Sequence, residues 1–169
     1  MDALDANNAG NIWGFFNHVA TKCVDANALA ARFLLKKEHK HESIGASFLA
    51  HLMAQFAEYS RTFKTTLSQN CTINQEDVIT ALNSQNVKGQ FTTVFLRAYR
   101  ALPADERAMP WLVAIDSLDD CPLPSLALVF DFIEECITHI PSVYFLVLGN
   151  SAYRRLVSRR PALLSSIEL

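Results

Sequence analysis

The sequence predicts an α/β domain: a short parallel sheet flanked by helices, in a chain that is helix-rich. Three observations predict it. Trp111–Ile115 (WLVAI) is an unbroken apolar run closed by Asp116, and such a run is what a central strand buried on both faces requires. Val143–Leu148 (VYFLVL) is a second apolar run. Between them Leu126–Ile137 has helical periodicity, so strand, helix and strand follow one another with short connections, the order of a βαβ unit.

Bulk properties suit one globular unit. The chain has 169 residues, half of them hydrophobic and only 19% charged, which is enough apolar material for a single core. Residues 1–169 are expected to form one domain, with 1–10 a flexible N-terminus. A formal net charge of −2 supplies no general attraction to nucleic acid or to an anionic membrane. Arg154, Arg155, Arg159 and Arg160 make a local basic tail, expected to face water. The four cysteines, Cys23, Cys71, Cys121 and Cys136, show no CxxC spacing, so free thiols in a reducing compartment are expected rather than a zinc site or a disulfide scaffold. The first residues lack a basic stretch followed by an apolar core, and no run reaches the roughly 18 apolar residues that span a bilayer. A cytoplasmic protein without membrane contact is the expectation.

Element by element, Asn11–Phe16 (NIWGFF) reads as a first strand interrupted by Gly14. Lys22–Lys37 places Val24, Ala28, Ala31 and Leu35 at three-to-four spacing, an amphipathic helix ending in lysines that suit its C-terminus. Ile44–Leu49 (IGASFL) reads as a second strand, or as the start of the helix that follows; periodicity does not separate the two. Ala50–Leu67 is a helix with Leu52, Met53, Phe56, Tyr59 and Phe63 on one face. Residues 74–84 form a short helix capped by Thr72 or Asn74. Gly89 marks a break. Phe91–Leu102 is a helix with Phe91, Val94, Phe95, Ala98 and Leu102 on one side, stopped by Pro103. All six prolines lie at or after Pro103, so long helices are permitted before it. A last short helix is expected at Ser151–Val157.

In an open parallel sheet, ligands bind at the carboxyl ends of the strands. Asp116 stands there, with Asp119 and Asp120 one turn on. A carboxylate so placed can hold Mg²⁺, and a neighbouring acid can orient water for attack on phosphate. The bland reading of Asp119 or Asp120 is a cap on the next helix. Trp111–Cys121 (WLVAIDSLDDC) resembles the Walker B segment of the NACHT class of STAND NTPases, signalling ATPases or GTPases of the NLR type. Val143–Leu148 with Gly149, Asn150 and Ser151 is similar to the family's next strand, although the usual Thr-Ser-Arg ending is matched only by Asn150, Ser151 and Arg154. Ile44–His51 (IGASFLAH) looks like its second strand. The likeness spans roughly residues 11–160, and residues 111–121 carry its specific part. It implies a P-loop NTPase-like fold, Asp116 as a magnesium ligand and Asp119 and Asp120 as catalytic acids.

A phosphate loop needs glycines whose backbone amides wrap the phosphates, a lysine that reaches them, and a hydroxyl on Mg²⁺. At the expected place the chain reads Phe16-Asn17-His18-Val19-Ala20-Thr21-Lys22-Cys23. Lys22 is in register; Phe16 and Thr21 replace both glycines, and Cys23 replaces the hydroxyl residue. Thr21, Lys22 and Cys23 are therefore the candidate nucleotide-binding residues of a degenerate loop. The alternative makes Lys22 an ordinary surface residue in an N-terminal helical turn. ATP or GTP with Mg²⁺ is the implied cofactor, bound weakly or not at all.

Other chemistry has weaker support. His39 and His41 sit among lysines, Cys136 and His139 share a helix and suit packing, and Glu134-Glu135 suits an exposed face. No G-x-S-x-G elbow exists. The leading expectation is a pseudo-NTPase without strong catalysis that acts through protein contact, as a regulator of NLR-like signalling or by self-association. An atypical Mg²⁺-dependent ATPase or GTPase and a mainly helical interaction protein are the alternatives.

Overall fold

The computed structural model describes residues 14, 16–26, 28–34, 44–83, 86–116 and 123–148. Helix α1 covers residues 16–25. It is followed by β1 (Leu29–Leu34), α2 (Ile44–Tyr59), α3 (Arg61–Ile73) and α4 (Gln75–Asn83). Then come α5 (Val87–Gln90), a π-helical stretch (Phe91–Leu96) and α6 (Arg97–Arg100), which run on as one helix. The short α7 (Ala104–Ala108), β2 (Trp111–Asp116), α8 (Leu123–His139) and β3 (Val143–Val147) complete the order.

The three strands form one sheet in the order β1-β2-β3, all parallel. The unbroken apolar run is thus the central strand, as predicted, and α8 carries the chain from β2 to β3. Successive side chains of β2 alternate between faces. Trp111, Val113 and Ile115 enter the main core, where the helices supply a dense aromatic cluster. The Phe56 ring lies 5.2 Å from Trp111 and 5.2 Å from Phe95, and Phe132 closes on Phe48 at 5.6 Å. Leu112, Ala114 and Asp116 face the other way. The register pairs Arg32 with Ala114, and the Arg32 guanidinium lies 6.0 Å over the ring of Phe16, so α1 covers that second face. Gln55 of α2 protects the outer edge of β1: its Oε1 accepts the Arg32 amide at 2.7 Å, an edge donor that would otherwise invite another strand.

Several expected elements are corrected. Of the first strand expected at Asn11–Phe16, the described residues Gly14 and Phe16 are helical and Phe16 is buried; residues 11–13 and 15 lie outside the described residues. The helix at Lys22–Lys37 ends by residue 25, and Leu29–Leu34 is a strand. Ala30 and Ala31 are good helix formers, but the parallel ladder to β2 overrides that local preference. Residues 44–49, left open between strand and helix by periodicity, are the first part of α2, where Phe48, Leu49, Leu52, Met53 and Phe56 form one buried helical stripe. The helix at Ala50–Leu67 is broken at Ser60, whose extended backbone (φ −122°, ψ 115°) caps α3 while its Oγ accepts the Phe63 amide at 3.0 Å. Gly89 is no break: it lies inside α5, and its amide donates to Oδ1 of the cap residue Asn86 at 3.1 Å. Residues 1–10 and Ser151–Val157 lie outside the described residues.

Candidate functional site

The strongest candidate position is the carboxyl end of β2. Asp116 ends the central strand at 3% exposure, with Leu34 of β1 as its register partner. On the other side, the Leu148 amide donates to the Ile115 carbonyl at 2.8 Å, which prolongs β3 past its last ladder pair. Aspartate is seldom buried unless it is partnered, and this end of a parallel sheet is where ligands bind in open α/β folds. Asp119 and Asp120, its expected companions, lie outside the described residues, as do His39, His41 and the arginines of the basic tail. Among the described residues no three His, Cys, Asp or Glu side chains are grouped as a metal site.

Thr21, Lys22 and Cys23 all lie on α1. Thr21 and Lys22 are exposed and Cys23 is half-buried. They were expected in a loop or at a helix start, and the structure corrects this: they form the last turns of a helix that already runs from residue 16. Their amides point back into the helix, toward carbonyls four residues earlier. The Lys22 carbonyl accepts from Ala26 at 3.0 Å and the Cys23 carbonyl from Ala28 at 2.8 Å, which is the wind-up of a C-terminus. This pole carries carbonyls and partial negative charge, the reverse of the amide-rich N-terminus that binds phosphate. Phe16 and Ala20, both 2% exposed, show why: the segment is tied down by an apolar face instead of being freed by glycines.

Open clefts among the described residues lie elsewhere. One, of about 310 Å³, runs between α5 and α8 and is lined by Lys88, Asp131, Glu134 and Glu135 among others. Glu135 is its structural centre. It pairs with Lys88 Nζ at 3.2 Å and with His139 Nε2 at 3.4 Å, and the His139 ring stacks on Phe91. The sequence suggests an exposed Glu134-Glu135 pair; what draws Glu135 in is Lys88, far away in the chain. The second cleft, of about 250 Å³, includes Tyr59, Thr62, Glu106 and Trp111. There the Glu106 carboxylate accepts from Ser60 Oγ at 3.1 Å and Thr62 Oγ1 at 2.6 Å, so α7 is tied to the start of α3.

Cys136 is fully buried, and burial first, with the Glu135 charge second, pushes its thiol well above the ordinary range. That is the condition of a packing cysteine, not of a nucleophile. Cys23, Cys71 and Cys136 are free thiols. No described helix is long and apolar enough to cross a membrane. No protein-family model, curated protein or solved structure matches this chain.

Proposed function

We propose that this chain is a nucleotide-binding-type fold that has lost the phosphate-loop chemistry and works through protein contact. The occupant of that contact is a protein partner, such as a larger signalling NTPase of the NACHT type, or a second copy of the chain. One observation carries the reading. Asp116 is buried at the carboxyl end of the central strand of a wholly parallel sheet, while residues 16–23, in register with a phosphate loop, are helical and have no glycine. An acidic strand end of this kind supports a nucleotide-site ancestry. The helical, glycine-free segment opposes tight phosphate binding, because no free amides are offered at Lys22 and Cys23 stands where the hydroxyl ligand for Mg²⁺ would be.

The test is phosphate release from Mg-ATP and Mg-GTP by the full chain beside Asp116→Ala. The proposal expects equal, background-level release from both. Release above background that disappears in Asp116→Ala would replace it with an atypical NTPase.

A further inference from the structure

The wide turn at Phe91–Leu96 has a consequence for the whole helix of residues 87–100. Buried residues on that helix are Val87, Gln90, Phe91, Val94, Phe95, Leu96, Ala98 and Tyr99, whereas Lys88, Thr92, Arg97 and Arg100 are exposed. Drawn as an unbroken α-helix, the buried set spreads over roughly 240° and has the exposed Lys88 and Thr92 inside it. With the wider π spacing over Phe91–Leu96, the same set closes to roughly 165° and every exposed residue falls outside it. The π stretch is what brings Leu96 and Tyr99 onto the core face.

Such a stretch has a cost. Where the ladder returns from five-residue to four-residue spacing, one carbonyl is passed over. A buried carbonyl without a donor is destabilising. Asn70 of α3 reaches this place: its Nδ2 donates to the Thr93 carbonyl at 3.0 Å and to the Val94 carbonyl at 3.3 Å. Its Oδ1 accepts from Asn74 Nδ2 at 2.9 Å, which fixes the amide with its nitrogen toward the helix. Asn70 is itself buried. Downstream, the Tyr99 hydroxyl donates to the Arg107 carbonyl at 2.8 Å and lies 2.6 Å from Ser142 Oγ. Its ring packs on Trp111, the first residue of β2.

We propose that Asn70 is a register latch: its side-chain amide selects the π register of helix 87–100 and thereby holds Tyr99 on Ser142 and against the start of the central strand. When the latch is released, the favoured form is the plain α register, in which Leu96 and Tyr99 turn away from the core. The helix then has two registers, and the α3–α4 corner, through Asn74 and Asn70, biases the choice between them.

The experiment uses amide hydrogen exchange on the full chain, with Asn70→Ala and Asn70→Asp, the latter keeping shape and acceptor but losing the donor. Both should speed exchange at residues 95–100 by about tenfold or more. A second background separates the latch from ordinary packing. Deletion of the exposed Thr92 removes one residue from the wide turn, so a plain α-helix then keeps the same residues buried. In that background Asn70→Ala should change the same amides by less than about twofold. If Asn70→Ala alone does not fold, the Thr92 deletion should restore folding to it. The proposal is overturned if exchange at 95–100 stays within about twofold of the parent in Asn70→Asp. It is equally overturned if Asn70→Ala does the same damage with and without Thr92, or if the deletion fails to rescue a non-folding variant.

Discussion

Phe56→Ala removes the ring that joins the helical layer to the central strand. Phe56 has no exposed surface, and its ring centroid lies 5.2 Å from Trp111, 5.2 Å from Phe95 and 5.9 Å from Phe63. Four large rings meeting in this way leave little room for collapse once one is cut back, so most of the cavity term persists. A buried Phe→Ala change costs about 3–5 kcal/mol, and about 4 kcal/mol is expected here. Against a domain stability of about 5–15 kcal/mol, that is a large share. Urea unfolding followed by tryptophan fluorescence reads it directly, since Trp111 belongs to the cluster. With a slope near 2 kcal/mol per molar urea, the midpoint should fall by about 2 M at unchanged slope. Val24→Ala, at an exposed position of α1, should stay within about 0.5 kcal/mol of the parent. A fall of less than about 0.5 M for Phe56→Ala would refute the packing of α2 on β2 described above.

Two further outcomes follow from buried titratable groups. Burial raises the Tyr99 phenol above its ordinary value of 10.0, with the Ser142 hydrogen bond and the Arg107 charge working in the opposite direction. A raised phenol favours the folded state while neutral, so its contribution is complete below that ordinary value and is lost as pH rises through the folded-state value. The urea midpoint should therefore drop as pH rises above the ordinary phenol value of 10.0, and Tyr99→Phe, costing about 1–2 kcal/mol at pH 8, should lessen the drop; an unchanged drop would count against it. Peptide-resolved thiol labelling of the native protein at pH 8 should modify Cys71 readily, whereas Cys136, buried and with its thiol pushed up, should react about 100-fold more slowly until urea opens the core.

The second half of the chain was legible because its signals are local and redundant. WLVAI followed by Asp116 has the length and composition of a doubly buried strand, and it is the middle strand. VYFLV and the helix before it also lie where their periodicity puts them. The first half was harder because strand and helix exchange places there. In Leu29–Leu34 the alanines and a three-to-four apolar spacing mimic a helix, and only pairing with β2 makes it a strand. In Ile44–Leu49 a short apolar run mimics a strand, yet Phe48 and Leu49 continue in phase with Leu52, Met53 and Phe56, a signal that a longer window contains. The π stretch had a trace too: Leu96 is an apolar residue left off the predicted face of the helix, yet it is buried. The position of Asp116, buried at the end of the central strand, was legible from the sequence. The pole of α1 at which Lys22 sits was not, since a lysine in motif register looks the same at either end of a helix.

The central claim is that a nucleotide-type strand end survives here without phosphate-loop chemistry, and calorimetric titration with Mg-ATP and Mg-GTP tests it most directly. Lys22 lies in the last turns of α1, where carbonyls and not amides are presented, so no saturable heat is predicted in the micromolar range, and Lys22→Ala should give the same flat titration as the parent. Micromolar binding by the parent that disappears in Lys22→Ala would contradict the account.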